Sequence, residues 1–270
     1  MQEQKIDDSI VAAKELAREI AKEPEVKYFR FGHTTLDDAV GLIAEGDFIA
    51  LGGTAGSGKT SFCISLTKVL ADQGVGVLWF SIELSPREFL KKFSDDPEKI
   101  HEFYVPRKIS EPTLTWLERK IDEAIQKFGI KVVFIDHIGM IMNERDAMMR
   151  NGLEVFDERL KTIKSWAVNK GVAIVAISTV GQETSKKTKR QEPTMADFRG
   201  SSMIGHTSDL VLYMQRVTGT TSSITLNESL DWKNEFATDA KLWILKCRRT
   251  GMMKANIKMF MDDAGNFKEY

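Results

Sequence analysis

The sequence predicts an α/β fold, in which a mainly parallel sheet is flanked by helices and extended by antiparallel strands towards the C-terminus. Three observations lead to this prediction. A glycine-rich loop at residues 53–60 directly follows an apolar strand, and strands then alternate with helices as far as residue 178. Beyond residue 200, three strand-like segments follow one another with no long helix between them. Alternation of the first kind is typical of a parallel sheet covered on both faces.

The chain opens with a segment that predicts an amphipathic helix over residues 7–21, because apolar residues recur there every three or four positions. A charged link at residues 22–27 separates this helix from the rest of the chain. We therefore expect two units, namely the helix with its link at residues 1–27 and a single core domain at residues 28–270.

Apolar periodicity also predicts the elements of the core. The predicted strands are 48–51, 75–81, 131–136 and 172–178, followed in the last part of the chain by 210–216, 241–247 and 256–261. The predicted helices are one directly after the glycine-rich loop and others at 86–93, 114–128 and 153–167.

The glycine-rich loop reads Gly-Thr-Ala-Gly-Ser-Gly-Lys-Thr, which is the complete pattern of a phosphate-binding loop. Its glycines let the backbone N–H groups turn inward, and the helix that starts there adds the positive end of its dipole. Lys59 can reach the β- and γ-phosphates, and Thr60 can hold Mg²⁺. An ordinary glycine turn is the alternative, and the flanking strand and helix argue against it. The residues expected to bind ATP, or another nucleoside triphosphate, are Gly53, Gly56, Ser57, Gly58, Lys59, Thr60 and Ser61.

Composition argues against a uniformly basic protein, a cysteine-bound metal site and a membrane-spanning protein. The net charge is -1 over 270 residues, so any contact with nucleic acid must come from a local patch. The two cysteines, Cys63 and Cys247, lack the spacing of a metal site and are expected to be reduced packing residues. Neither a signal peptide nor an apolar membrane span is recognisable, so we expect a cytoplasmic protein without a membrane partner.

Two acidic residues end strands that should meet at the edge where open α/β sheets bind ligands. The apolar strand 132–135 runs into Asp136, the form taken by an aspartate that orders Mg²⁺ and its water. The strand 77–82 delivers Glu83, whose carboxylate can polarise a water that attacks the γ-phosphorus. An acid that merely stabilises the start of a helix is an equal alternative for Glu83.

Five segments in order extend this pattern: 32–42 with 45–47, then 80–85, 135–138, 197–202 and 244–251. Together they resemble the helicase core of the DnaB-type replicative helicases. These are RecA-like P-loop NTPases, a group that includes phage primase-helicases and the mitochondrial helicase Twinkle. The resemblance runs from about Phe31 to Phe260, and it implies a RecA-like fold.

The resemblance implies a role for each matching residue. Glu83 would activate water, and Asp136 and Thr60 would hold the metal. Arg248, with Lys246 beside it, would reach the γ-phosphate bound by a neighbouring subunit, which requires a homo-oligomeric ring or filament. Such an arginine contributes roughly 10³ to 10⁵ in rate in comparable systems. Two outward side chains on an edge strand are the alternative.

Two further parts of the resemblance concern neighbouring proteins. The opening helix resembles the linker helix with which family members clasp the adjacent subunit, the alternative being a helix folded onto its own domain. No segment resembles the primase or primase-binding domain that precedes this core in full-length relatives. We therefore expect a separate primase or loader as a partner. The chain is either a minimal phage or plasmid version or an excised core, and its initial methionine slightly favours the former.

One position departs from the family. Relatives carry glutamine, or histidine in the phage branch, after the strand 173–178, where it senses the γ-phosphate. Thr179 stands at the matching position here. Its hydroxyl can also hydrogen-bond a phosphate, but it has a shorter reach.

A basic loop between residues 179 and 199 corresponds to the DNA-binding loop of the family, and its segment 183–190 has a charge of +3. No aromatic residue lies between Thr179 and Asp197, so the loop is expected to follow the backbone of single-stranded DNA rather than stack on bases. A merely solvated loop is the alternative, and the loop 139–152 is a second candidate for DNA contact. The residues expected to bind DNA are Lys186, Lys187, Lys189, Arg190 and Arg199.

These interpretations predict a replicative-type DNA helicase core of a bacterium or of a phage-infected cell. It would assemble as a hexameric ring on single-stranded DNA and unwind duplex by NTP hydrolysis. Two alternatives stay open. One is a RecA- or RadA-like or clock-type ring ATPase, and the other is a nucleotide-gated adaptor or loader that does not unwind.

Overall fold

The computed structural model describes residues 9–22, 25–142, 152–178, 180, 192–198, 201–216, 240–262 and 264–270. Within these ranges the chain forms one eight-stranded sheet, one two-stranded sheet and seven α-helices. The helices are α1 (Ala13–Ile20), α2 (Thr34–Val40), α3 (Lys59–Asp72), α4 (Pro86–Lys91), α5 (Leu114–Phe128), α6 (Gly152–Lys170) and α7 (Ser201–Thr207). The strands are β1 (Tyr28–Phe29), β2 (Ile43–Ala44), β3 (Phe48–Gly52), β4 (Val77–Ser81), β5 (Val132–Asp136), β6 (Ala173–Ile177), β7 (Leu210–Arg216), β8 (Ala240–Cys247), β9 (Ala255–Met261) and β10 (Phe267–Glu269).

The large sheet has the strand order β10-β9-β8-β7-β3-β6-β5-β4. The five strands from β7 to β4 pair with one another in parallel. From β7 outward, β8, β9 and β10 each pair antiparallel with the preceding strand. The predicted fold class is therefore confirmed, with β7 as the strand that joins the parallel part to the antiparallel part.

Strand β3 lies in the middle of the parallel part, and all five of its residues are buried. Ile49 and Leu51 pack into the apolar core on one face of the sheet, whereas Phe48 and Ala50 pack into the core on the other. A strand that is buried on both faces has an almost continuous apolar sequence. This explains why residues 48–51 are recognisable as a strand from the sequence.

Local hydrogen bonds fix the helices that flank the sheet. At the start of α4 the Ser85 hydroxyl accepts a hydrogen bond from the Glu88 N–H, and the Glu88 carboxylate accepts one from the Ser85 N–H. This capping box satisfies two N–H groups of the first turn, which no intrahelical partner can satisfy. Since Ser85 lies two residues after Glu83, the box also fixes the turn that carries this acid.

Several element bounds differ from the sequence-based expectations. Helix α1 begins at Ala13, since residues 9–12 are not helical and the backbone of Ala12 is extended, and none of the residues of α1 is buried. Strands β1, β2 and β10 were not predicted, since segments of two or three residues are too short to show periodicity. No helix in the described ranges combines the length and the apolar character needed to cross a bilayer.

The packing around Gly52 generates a test of the fold. A Cβ atom added at Gly52 would lie 2.3 Å from Cζ of Phe198, a buried side chain. We therefore expect Gly52→Ala to lower the free energy of unfolding by about 1–3 kcal/mol, the usual effect of overpacking a core. Adding Phe198→Leu should recover part of this loss. Urea unfolding would measure the change.

Gly152→Ala is the matched control for that substitution, because no atom of the described residues lies within 4 Å of a Cβ added there. Its free energy of unfolding should stay within about 0.5 kcal/mol of the wild type or rise slightly. Equal effects of the two alanine substitutions would contradict the close approach of Phe198 to strand β3.

Candidate functional site

The glycine-rich loop connects the end of β3 to the start of α3, and at two of its glycines a side chain would collide with neighbouring residues. At Gly53, with φ 148°, an added Cβ would lie 2.4 Å from the Met214 carbonyl oxygen. At Gly58, with φ 95°, it would lie 2.8 Å from Cζ of Phe267. Phe267 belongs to β10, and its N–H donates a hydrogen bond to the Ser65 hydroxyl on α3. The loop is thus held in shape by strands β7 and β10 as well as by its own sequence.

Lys59 and Thr60 open helix α3 and point into the loop and the sheet edge. The Lys59 ammonium group donates hydrogen bonds to the carbonyl oxygens of Gly53 (2.9 Å) and Thr54 (2.8 Å). The Thr60 hydroxyl donates to Oδ2 of Asp136 at 2.8 Å. The start of α3 and the end of β5 are therefore joined through a hydroxyl and a carboxylate, the hard oxygen donors that Mg²⁺ prefers.

Burial shifts the pKa of both charged groups beside the loop. Burial raises the pKa of Asp136, and the negative charge of Glu83 acts in the same direction, while the Thr60 hydrogen bond opposes the shift. Burial lowers the pKa of Lys59, whereas the nearby charges of Asp136 and Glu83 oppose that shift. Each group would be stabilised in its charged form by a ligand that brings the opposite charge, such as a metal ion for the aspartate and a phosphate for the lysine.

Glu83 is an exposed residue that follows β4 by two positions. The Ile82 N–H donates to the Asp136 carbonyl oxygen at 2.8 Å, and Ser81 pairs with Asp136 in the sheet. These contacts bring Glu83 to the same sheet edge as Asp136. The predicted acids thus lie together beside the loop, at the carboxyl ends of neighbouring parallel strands.

A pocket of about 640 Å³ collects these groups. Its lining contains Gly53, Gly56, Gly58, Lys59, Thr60 and Ser61 from the predicted nucleotide-binding set, together with Glu83 and Asp136. Ser57, within the loop, is buried, and its hydroxyl has no hydrogen-bond partner among the described residues. The predicted residues that line the pocket therefore come from the ends of three separate strands, β3, β4 and β5.

The lining also contains polar or polarisable residues that were not predicted as site residues, among them Lys92, His137, Arg216 and Met261. Arg216 ends β7 and Met261 ends β9, two strands that run in the same direction as β3. Their side chains reach the pocket from the side opposite to Glu83. Neither residue belongs to a recognisable sequence motif. The strand directions contained the only available signal, because the last residues of strands parallel to β3 must reach the same edge.

Lys246 and Arg248 lie at the other edge of the sheet. Cys247 pairs with Leu210, and Leu210 pairs with Ile49 near the start of β3, so the end of β8 is far from the loop at the end of β3. Strand β3 has five residues, each with a rise of about 3.3 Å, so its two ends are roughly 16 Å apart. The Lys246 ammonium group donates to the carbonyl oxygens of Gly205 and Ser208, both at 2.7 Å. Burial lowers its pKa.

The predicted sensor Thr179 lies outside the described residues. So do all the predicted DNA-binding residues, namely Lys186, Lys187, Lys189, Arg190 and Arg199. The described part of the chain does bring the two ends of this loop together, because Val180 and Phe198 form an antiparallel bridge. The base of the loop therefore lies next to β6 and the nucleotide-sized pocket, which Val180 also lines.

The comparisons with known proteins all indicate the same family. The model of the DnaB-like helicase C-terminal domain matches residues 101–269, which is more than half of the chain. A probable plasmid replicative DNA helicase of Chlamydia psittaci is 23% identical over 212 residues, which are 68% of this chain and 46% of that protein. The replicative DNA helicase DnaB of Treponema pallidum (strain Nichols) is 25% identical over 217 residues, with 68% and 47% coverage. The chain thus spans about half the length of these curated relatives.

Solved structures agree on the fold. A DnaB-like replicative helicase, studied with its interactions with primase, superposes with a TM-score of 0.72 at 17% identity, over 97% of this chain and 67% of that chain. A second structure, which consists of an ATPase domain, superposes with a TM-score of 0.73 at 17% identity, over 95% and 96% of the two chains. At this identity the two structures establish the fold of the core.

Proposed function

Because the chain belongs to the family of DnaB-like helicase C-terminal domains, we propose that it is the motor core of a replicative-type DNA helicase. In this proposal it hydrolyses ATP or another nucleoside triphosphate, forms a hexameric ring on single-stranded DNA and unwinds duplex by translocation. The observation that carries the proposal is the position of Arg248, at the sheet edge opposite to the pocket that contains Lys59 and Glu83. Such a molecule is suited to complete the site of a neighbouring copy.

Within one subunit, the residues of the pocket divide the chemical work. Lys59 and the loop would hold the β- and γ-phosphates, and Glu83 would accept the proton of the attacking water. Mg²⁺, held by Thr60 and Asp136, would supply positive charge that neutralises the phosphates. Arg216 and Met261 offer a cation and a polarisable side chain at the rim, which suits contact with a nucleobase.

The same geometry supports assembly into a ring. Arg248 is too far from the pocket of its own subunit to reach a nucleotide there, so it would act on a nucleotide bound by the neighbour. Helix α1 supports this assembly, because Leu16 and Ile20 are about half exposed, at 46% and 55%, and none of its residues is buried. In the ring, α1 would clasp the adjacent subunit.

DNA would be held by the loop whose ends meet at Val180 and Phe198. Its basic residues would neutralise backbone phosphates with little preference for sequence. A DnaB-like replicative helicase has been studied with its interactions with primase. By similarity to that family, we propose that this chain works with a primase or loader in a bacterial or phage-infected cytoplasm.

A nucleotide-gated loader that binds DNA without unwinding it is the rival function, favoured by Thr179 in the sensor position. Strand displacement on forked DNA separates the two functions, because only a helicase releases the strand in a nucleotide-dependent manner. Hydrolysis and DNA binding without strand release would favour the loader.

Glu83→Gln tests the catalytic assignment. We expect turnover to fall by at least about 100-fold, since the amide cannot accept the proton of the attacking water. Nucleotide affinity should stay close to that of the wild type, because Lys59 and the loop are intact. Lys59→Ala provides the contrast, with both affinity and turnover lost. Near wild-type hydrolysis or strand displacement by Glu83→Gln would remove this residue from the catalytic role.

Subunit mixing tests whether the site is shared. Arg248→Ala should lower turnover by about 10³-fold with unchanged nucleotide affinity, because the arginine acts only as the transition state forms. Mixing it with Lys59→Ala subunits should restore part of the activity at interfaces that combine an intact pocket with an intact arginine. Arg249→Ala is the matched control, since Arg249 binds Asp47 within its own subunit. No recovery in the mixture would count against the shared site.

The basic loop is tested by salt dependence. Each lysine contact with single-stranded DNA contributes about 0.7 to the slope of log affinity against log salt. Replacing Lys186, Lys187 and Lys189 by alanine should therefore flatten this slope by up to about 2, with nucleotide binding retained. The same charge change at exposed Lys99, Lys127 and Lys258 is the control. An unchanged slope in the loop variant would direct the search to residues 139–152.

A further inference from the structure

Arg248 does not extend freely from the sheet edge but is held by two acceptors. Its NH1 group donates to Oδ1 of Asp209 at 2.9 Å, and its NH2 group donates to the carbonyl oxygen of His206 at 2.8 Å. Its backbone N–H also donates to the Asp209 carbonyl oxygen at 2.7 Å. Asp209 therefore contacts both the main chain and the side chain of this arginine.

The carboxylate of Asp209 is itself fixed from the protein side. Its Oδ2 atom accepts hydrogen bonds from the Phe48 N–H at 2.8 Å and from the Lys164 ammonium group at 2.6 Å. Lys164 also donates to the Gly46 carbonyl oxygen at 3.0 Å. The side chain of Asp209 is 17% exposed and that of Arg248 is 52% exposed. One oxygen thus anchors the carboxylate to β3 and α6, and the other faces the exposed arginine.

The arginine retains donors for another ligand in this arrangement. A guanidinium group has five N–H donors, of which Asp209 and His206 occupy two. The remaining donors lie on the more exposed side chain of the pair. Arg248 can therefore keep both acceptors while it binds a phosphate, so these contacts restrict its orientation without using up its capacity.

We propose that Asp209 is the positioning residue for Arg248. It holds the guanidinium group in the orientation that a nucleotide on the neighbouring subunit requires, and Lys164 and the Phe48 N–H hold Asp209. This inference rests on the proposed action of Arg248 across a subunit interface. It also means that the first residue of β3 orients the arginine for one site, while the last residue of the same strand leads into the loop of another.

Asp209→Asn separates positioning from simple structural support. The amide oxygen can still accept the Phe48 N–H, but the charge that faces Arg248 and Lys164 is lost. We expect the turnover number for hydrolysis to fall by about 10- to 100-fold, as expected for a misplaced catalytic group. The KM for nucleotide and the melting temperature should stay near the wild type. Asp47→Asn is the matched control, because it breaks the pair with Arg249 at the same edge and should change turnover less than about threefold.

Two combinations locate the defect. Asp209→Asn subunits mixed with Lys59→Ala subunits should regain activity, because the former have intact pockets and the latter have intact, well-held arginines. The double variant Asp209→Asn with Arg248→Ala should be no slower than Arg248→Ala alone, since both changes remove the same function. Additive losses, or a turnover of Asp209→Asn within about twofold of the wild type or above it, would overturn the inference.

The failures of the two proposals are distinguishable. If Arg248→Ala shows no recovery with Lys59→Ala subunits, the shared site itself is wrong. If Arg248→Ala recovers and Asp209→Asn does not, only the positioning role is wrong. Should Asp209→Asn fail to fold by circular dichroism, Asp209→Glu replaces it. That variant keeps the charge for Lys164 but displaces the carboxylate, so a reduced turnover with unchanged KM supports positioning and wild-type turnover refutes it.

Discussion

The fixed position of strand β3 constrains the groups at both of its ends, namely the pocket beyond its last residue and the arginine near its first residue. Its five residues are buried, and a parallel strand lies on each side of it. The phosphate-binding loop leaves its last residue, and the Asp209 carboxylate accepts the N–H of its first residue. A strand held in this way positions side chains more precisely than a loop does. The pocket at one edge and the arginine at the other are therefore parts of one rigid framework.

Much of this framework could be predicted from the sequence. The complete loop pattern, the apolar runs that end in Asp136 and Glu83, and the regular alternation of strands and helices were sufficient for the fold class. These signals are local, because each strand that is buried on both faces carries its own apolar run. The rule that parallel strands present their carboxyl ends at one edge then brought Lys59, Thr60, Asp136 and Glu83 together.

The rest of the site depends on contacts between distant parts of the chain. Asp209 and Phe48 are 161 positions apart, and no periodicity or motif connects them. Arg216 and Met261 reach the pocket only because β7 and β9 run parallel to β3, which requires the strand order to be known. The start of α1 at Ala13 was also missed, since apolar spacing continues through residues 9–12, which are not helical, and does not mark a helix boundary.

The contact between Phe267 and Gly58 has a consequence for the folding of the nascent chain during translation. The loop and its helix leave the ribosome before Phe267, whose N–H donates to the Ser65 hydroxyl and which follows Ser65 by 202 positions. At about 5–20 residues per second, a nascent chain would wait roughly 10–40 s between the two events. Until then α3 lacks the strand that covers it, and the loop lacks the aromatic ring that braces it. The nucleotide-binding loop should therefore take its final shape only after Phe267 has emerged from the ribosome and packed against it.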